Sequence, residues 1–268
     1  MCAHPSWLAA LRQAEALLSQ GDVLGSMQAL EALCRQYPQD MFCQALALEG
    51  MGRAQAALHQ PERAVESLSR SLELLKECKG ATSPLTLGVM QNLAFALQAG
   101  GRLEESIALA RTAVAGLEEV HGPDAPQVAE ALLRLSAAWY RQGSYDRAED
   151  CMRRAQAIWE KIGNREKLGT CLNNLGRICE ERGQLAEGIA LHRKALAMRQ
   201  QAQGEHEDTA FSHGNLGVAL ATAGQWAEAE EHLRAAVDMY ERLGKGECPE
   251  AQGYRRNLEI CLQAQAEA

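Results

Sequence analysis

Leu132, Leu135, Ser136 and Trp139 are spaced three, one and three residues apart, which places them on one face of a helix. Gly143 breaks that helix, and Ala148, Met152 and Ala155 mark a second one behind it. The same reading along the chain predicts helix pairs at 6–20/23–36, 41–58/61–77, 84–99/102–120, 124–141/144–162, 165–182/185–202 and 206–223/226–243, with a single last helix over 248–265. Proline placement agrees with this register. Pro5, Pro38, Pro61, Pro84, Pro123, Pro126 and Pro249 all fall between predicted helices or in a first turn, where a missing N–H costs little.

The pairs repeat. Gly52 has counterparts at Ala94, Ser136, Gly176 and Gly217, at spacings of 42, 42, 40 and 41. A turn follows seven residues after each, at His59, Gly101, Gly143, Gly183 and Gly224. Further small residues follow at Ala64, Ser106, Ala148, Gly188 and Ala229, and again at Ser71, Ala113, Ala155, Ala195 and Ala236. A fixed period of this size means a stacked array whose core is a continuous seam. Small residues at the crossing points let paired helices approach closely. In the first pair Ala14, Gly21 and Ser26 fit the pattern, but Leu33 does not. In the last helix Glu259 stands where Gly, Ala or Ser stands elsewhere, as expected of ends that meet water.

Composition narrows the function classes. Aromatics are only 4%, and the Ala- and Leu-rich helices indicate an all-α chain. The net charge is −8, and the basic residues cluster no further than the pairs Arg153–Arg154 and Arg255–Arg256, which argues against a nucleic-acid partner. Nine scattered cysteines without a C-x-x-C imply reduced thiols. Cys171 and Cys179 share a helix face but lie about 12 Å apart, too far for a disulfide. Residues 1–5 show no secretory signal and no long apolar run spans a membrane, so a cytoplasmic protein is expected. The seven histidines lack metal spacing: His206 and His213 are seven apart, and no H-E-x-x-H occurs. Trp7, Trp139, Trp159 and Trp226 read as seam fillers.

The small residue, turn glycine and two alanines at Gly217, Gly224, Ala229 and Ala236, matched in four other periods, resemble the tetratricopeptide repeat. The longer period of 40–42 resembles its kinesin light chain subtype. Gly204 to Ala210 and Gly122 to Ala129 are similar to the Gly-x-x-His-Pro-x-x-Ala stretch that enters the first helix of that subtype, with Ala125 where His would be. The resemblance implies a single array of right-handed superhelical solenoid form and no cofactor. It also implies a non-enzymatic adaptor that holds a protein or peptide segment in a concave groove.

On a helical wheel Asn174 lies roughly 150° from the centre of the packed stripe Leu172, Leu175, Gly176 and Cys179. Asn92, Asn215 and Asn257 occupy the same place, and Arg134 interrupts the series. The resemblance implies that these asparagines hydrogen-bond the backbone of an extended peptide. The other reading is that each bonds a neighbouring helix and stiffens the stack. Arg53, Phe95, Arg141, Asn173, Arg177, Phe211 and Val218 are further groove positions. Arg134, Arg141 and Arg177 point roughly the same way and are candidates for an anion site; the other reading is that they pair with Glu130, Glu180 and Glu181 on the same surface. The Lys and Asn set of the family's carboxylate clamp is not reproduced. A rival class is a sensor that binds a signalling peptide or small ligand and regulates a separate effector.

Overall fold

The computed structural model describes residues 6–267, the side chain of Gln203 excepted; Cys2, His4 and Pro5 lie outside the described residues. Thirteen helices and no strand occur among the described residues. They are α1 (Leu8–Ser19), α2 (Val23–Gln36), α3 (Met41–Ala57), α4 (Pro61–Lys79), α5 (Pro84–Ala99), α6 (Leu103–His121), α7 (Pro126–Arg141), α8 (Tyr145–Ile162), α9 (Arg165–Glu181), α10 (Leu185–Gln203), α11 (Glu207–Thr222), α12 (Trp226–Arg242) and α13 (Pro249–Ala266).

Local chemistry sets the helix starts. Pro61, Pro84, Pro126 and Pro249 each occupy the first turn of a helix, where the N–H has no partner to lose. Asp22, Asp40, Ser83 and Asn164 cap their helices by accepting from the N–H three residues on, at 2.9–3.2 Å.

The chain forms two compact units, Met1–Gln142 and Gly143–Ala268. Within unit 1 each helix packs on the next, and α1, α3, α5 and α7 also touch in sequence, so the odd-numbered helices form one wall. Within unit 2, α9, α11 and α13 do the same. The cores are seams. One cluster gathers Trp7, Leu11, Leu30, Leu33 and Cys43 in unit 1; another gathers Leu216, Leu220, Leu233, Tyr240 and Tyr254 in unit 2. Trp7, Trp139 and Trp159 are buried, and Trp226 packs half-buried on the core of unit 2. The described cysteines are free thiols, with Cys171 and Cys179 both buried.

The small residues act at one register. A Cβ on Gly52 would lie 2.4 Å from Leu68 Cγ, and one on Gly217 would lie 2.6 Å from Leu233 Cγ. Both leucines stand on the second helix of their pair, at the same offset from the glycine, so glycine on the first helix admits leucine from the second. Ser106 uses the same approach differently, donating from Oγ to the Ala94 carbonyl at 2.7 Å.

The turns are left-handed at Gly21, Gly101, Gly143, Gly183 and Gly224, with φ between 73° and 86°. His59 holds that place with φ 55°, which strains a side-chain-bearing residue. His59→Gly is therefore expected to stabilise unit 1 by roughly 0.5–1 kcal/mol. A urea titration following Trp7 and Trp139 checks this; an unchanged or lower midpoint contradicts it.

Candidate functional site

The α5–α6 pair does not use the glycine–leucine pairing. Ala94 stands where Gly52 and Gly217 stand, and Ala110 stands where Leu68 and Leu233 stand. Two short side chains face each other there. A recess of about 300 Å³ lies between α5, α6 and α7, floored by Ala94, Ser106, Ala110 and Ala131 and edged by Phe95, Gln98, Leu133, Arg134 and Arg141. A second recess of about 330 Å³ lies beside α3 and α4, lined by Gly52, Arg53, Leu68 and Asn92. Phe95 lines both. It is 55% exposed, more than any other Phe, Tyr or Trp among the described residues, so one phenyl ring forms the partition between two apolar hollows.

Charge is unevenly placed around them. Arg134 and Arg141 are exposed at the edge of the first recess, two turns apart on α7. By the second recess, Arg53 Nε lies 3.8 Å from Glu49 Oε1. Burial raises the Glu49 carboxyl above the ordinary range, against the opposing pull of Arg53. Arg177 is exposed on α9 in unit 2. Glu180 meets His192 Nε2 at 2.8 Å, and Glu181 accepts from Tyr145 Oη at 3.1 Å.

Three of the four asparagines spend a side-chain bond inside their own unit. Asn92 Nδ2 donates to Glu49 Oε1 at 2.8 Å, tying α5 to α3. Asn215 Oδ1 accepts from Tyr254 Oη at 3.2 Å, tying α11 to α13, while its Nδ2 is buried with no partner. Asn257 Nδ2 donates to the Gly253 carbonyl of its own helix at 3.0 Å. Asn174 is half-buried on α9. Phe211 and Val218 are half-buried and pack on the core cluster of unit 2.

Asn173, expected in the groove, is instead buried. One residue rotates a helix position by about 100°, enough to turn it from the open face into the seam. There it belongs to a polar chain through α9, α10 and α11. Its Nδ2 donates to Ser212 Oγ at 2.7 Å, and its Oδ1 is 3.0 Å from His192 Nδ1. Ser212 Oγ also accepts from Arg199 Nη1 at 2.8 Å. Arg199 is 3% exposed and donates further to the Asp208 carbonyl at 2.7 Å and Thr170 Oγ1 at 3.0 Å. Burial lowers its pKa from the ordinary value, with Asp208 and Glu166 opposing. The sequence signal for this chain was weak: an Arg and a His inside a predicted second helix, at positions the small-residue pattern does not use.

Stacked antiparallel helix pairs with small residues at their crossings and an open wall of first helices define a helical-repeat interaction module. Tetratricopeptide repeat patterns match residues 8–40, 85–161, 135–201 and 170–242. The chain belongs to the tetratricopeptide repeat family, in its kinesin light chain-like form, and as such is a scaffold for protein–protein interaction. It is 23% identical over 147 residues to Protein KINESIN LIGHT CHAIN-RELATED 3 of Arabidopsis thaliana, covering 54% of this chain and 23% of that protein. The chain thus spans about a quarter of that relative's length. Among solved structures, a Podosopora anserina putative kinesin light chain with nearly identical TPR-like repeats superposes with a TM-score of 0.64 at 22% identity, covering 74% of this chain and 95% of that one. BtubC (BKLC) from P. vanneervenii gives 0.67 at 18% identity, over 92% and 95%. The apo form of RapI gives 0.69 at 12% identity, over 98% and 100%. These likenesses establish the fold. No described helix is long and apolar enough to cross a membrane.

Proposed function

We propose that the chain is a non-enzymatic adaptor that holds an extended segment of a partner protein along the odd-helix wall of unit 1. The observation that carries the reading is Phe95, an exposed ring between two apolar hollows in a scaffold whose other described aromatic side chains are buried or half-buried. An exposed aromatic beside concave apolar surface is a common anchor for a bound chain. Two apolar side chains of the partner, alternating along an extended backbone, would enter the recesses on either side of the ring. A carboxylate of the same segment would pair with Arg134 and Arg141. Asn92, held in place by Glu49, would present its amide oxygen to a backbone N–H of the segment. In unit 2 the same roles fall to Asn174 and Arg177. Asn215 and Asn257 are assigned to holding their helices, since their side chains already bond there.

The test is capture from native cell extract with the intact chain and with Arg134→Glu/Arg141→Glu. Both arginines are exposed, so the variant keeps its fold. A partner retained by the wild type and lost by the charge-reversed chain supports the reading. Equal capture by both moves the binding surface away from α7.

A further inference from the structure

His213 on α11 and His232 on α12 face each other with Nδ1 to Nδ1 at 3.0 Å and ring centroids 5.2 Å apart. Both are seam positions, one on each side of the crossing point at Gly217. The corresponding residues are Met90 and Leu109, Leu132 and Cys151, and Leu172 and Leu191 in the three preceding repeats. Two uncharged, mostly apolar side chains fill this place in those repeats, whereas two imidazoles fill it in the α11–α12 pair. Their surroundings are ordered as well. From α10, Gln200 Nε2 is 3.2 Å from His213 Nε2, and Arg193 holds Glu228 in a forked pair at 2.7 and 2.9 Å. From α12, Glu228 Oε1 lies 3.9 Å from His232 Nε2, and Glu231 acts on the same ring.

We propose that the His213–His232 pair is a proton-operated catch between α11 and α12, closed near neutral pH and opened by mild acid. The short Nδ1–Nδ1 contact holds one hydrogen. Whichever ring donates it, the other must offer a lone pair, so the closed catch cannot carry two imidazolium rings. In the unfolded chain both rings become imidazolium below pH about 6.5. The closed state therefore excludes at least one proton that the open state binds. Burial, with the neighbouring ring of His232 disfavouring a second charge, depresses His213 to about 4, and burial lowers His232 from its ordinary value. Depressed folded values mean that the stabilisation is present above the unfolded pKa and lost as pH falls from about 6.5 towards 4. One excluded proton makes the opening equilibrium rise about tenfold per pH unit across that window. The opening reaches the end of the unit, because Tyr240 of α12 packs against Tyr254 of α13 with ring centroids 6.2 Å apart.

The test is hydrogen exchange of the full chain at pH 7.5 and 5.5, corrected for intrinsic exchange, beside His213→Leu/His232→Leu. That substitution restores the Leu172/Leu191 pairing of the preceding repeat. The wild type is expected to lose about tenfold protection per pH unit below about 6 in α11 and α12, with α3 and α4 unaffected. The double variant is expected to show no such loss. If the double variant does not fold, His213→Gln/His232→Gln, which keeps hydrogen-bonding side chains on both helices without a titrating ring, replaces it with the same expectation. Wild-type protection in α11 and α12 that does not depend on pH overturns the proposal. So does a pH-dependent loss that persists without the two rings.

Discussion

Arg199→Ala is expected to destabilise unit 2 by about 3–5 kcal/mol, from the cavity left by a large buried side chain together with the loss of hydrogen bonds from a charged donor. The guanidinium is nearly inaccessible and makes bonds at 2.7, 2.8 and 3.0 Å to Asp208, Ser212 and Thr170. Removing it takes a donor from each of those three oxygens, with Ser212 keeping the Asn173 amide, and opens a cavity beside Gly169, whose Cβ position is 3.1 Å from Arg199 Cγ. Domain stabilities are commonly about 5–15 kcal/mol, so the loss is a large fraction of what unit 2 has. Urea unfolding followed through Trp159 and Trp226 measures it. Arg199→Met keeps most of the volume and is expected to lose less, which separates packing from hydrogen bonding. A change under about 1 kcal/mol for the alanine variant would show that the chain through Asn173 and Ser212 holds without its arginine.

Phe95→Ala is expected to weaken partner binding by at least about 30-fold, the roughly 2 kcal/mol typical of a central aromatic anchor. The ring is mostly exposed in the free protein, so its removal should leave unfolding within about 0.5 kcal/mol of the wild type. An affinity loss with unchanged melting marks a contact residue, whereas parallel loss of both would make Phe95 a structural residue.

The helices were legible because their signals are local and repeated. The small residues at Gly52, Gly176 and Gly217, the turn glycines and the first-turn prolines fix the register, and each observed helix begins and ends within two residues of its expected place. Phe95, Arg134 and Arg141 were also legible, because a residue far from the packed stripe must face outward. The recess beside them was not expected: its walls come from three helices, and a wheel drawn for one helix does not show the space left between neighbours. Asn173 was misplaced because a wheel assumes one buried face, while a first helix in a stack is covered from two sides by the helices before and after it. The histidine pair escaped for another reason. Metal and capping motifs are sought at short spacings within one helix, but His213 and His232 meet across two helices, nineteen residues apart.

The central claim is that the recess between α5, α6 and α7 receives a side chain of a partner. The most direct measurement is an equilibrium titration of the captured partner segment against Ala94→Gly/Ala110→Leu. Ala110 forms part of the recess floor, so a leucine there extends into the space from within, and a glycine at position 94 gives it the clearance that Gly52 gives Leu68. At least about tenfold weaker binding, with melting within a few degrees of the wild type, is the predicted result. Unchanged affinity with the recess filled would contradict it.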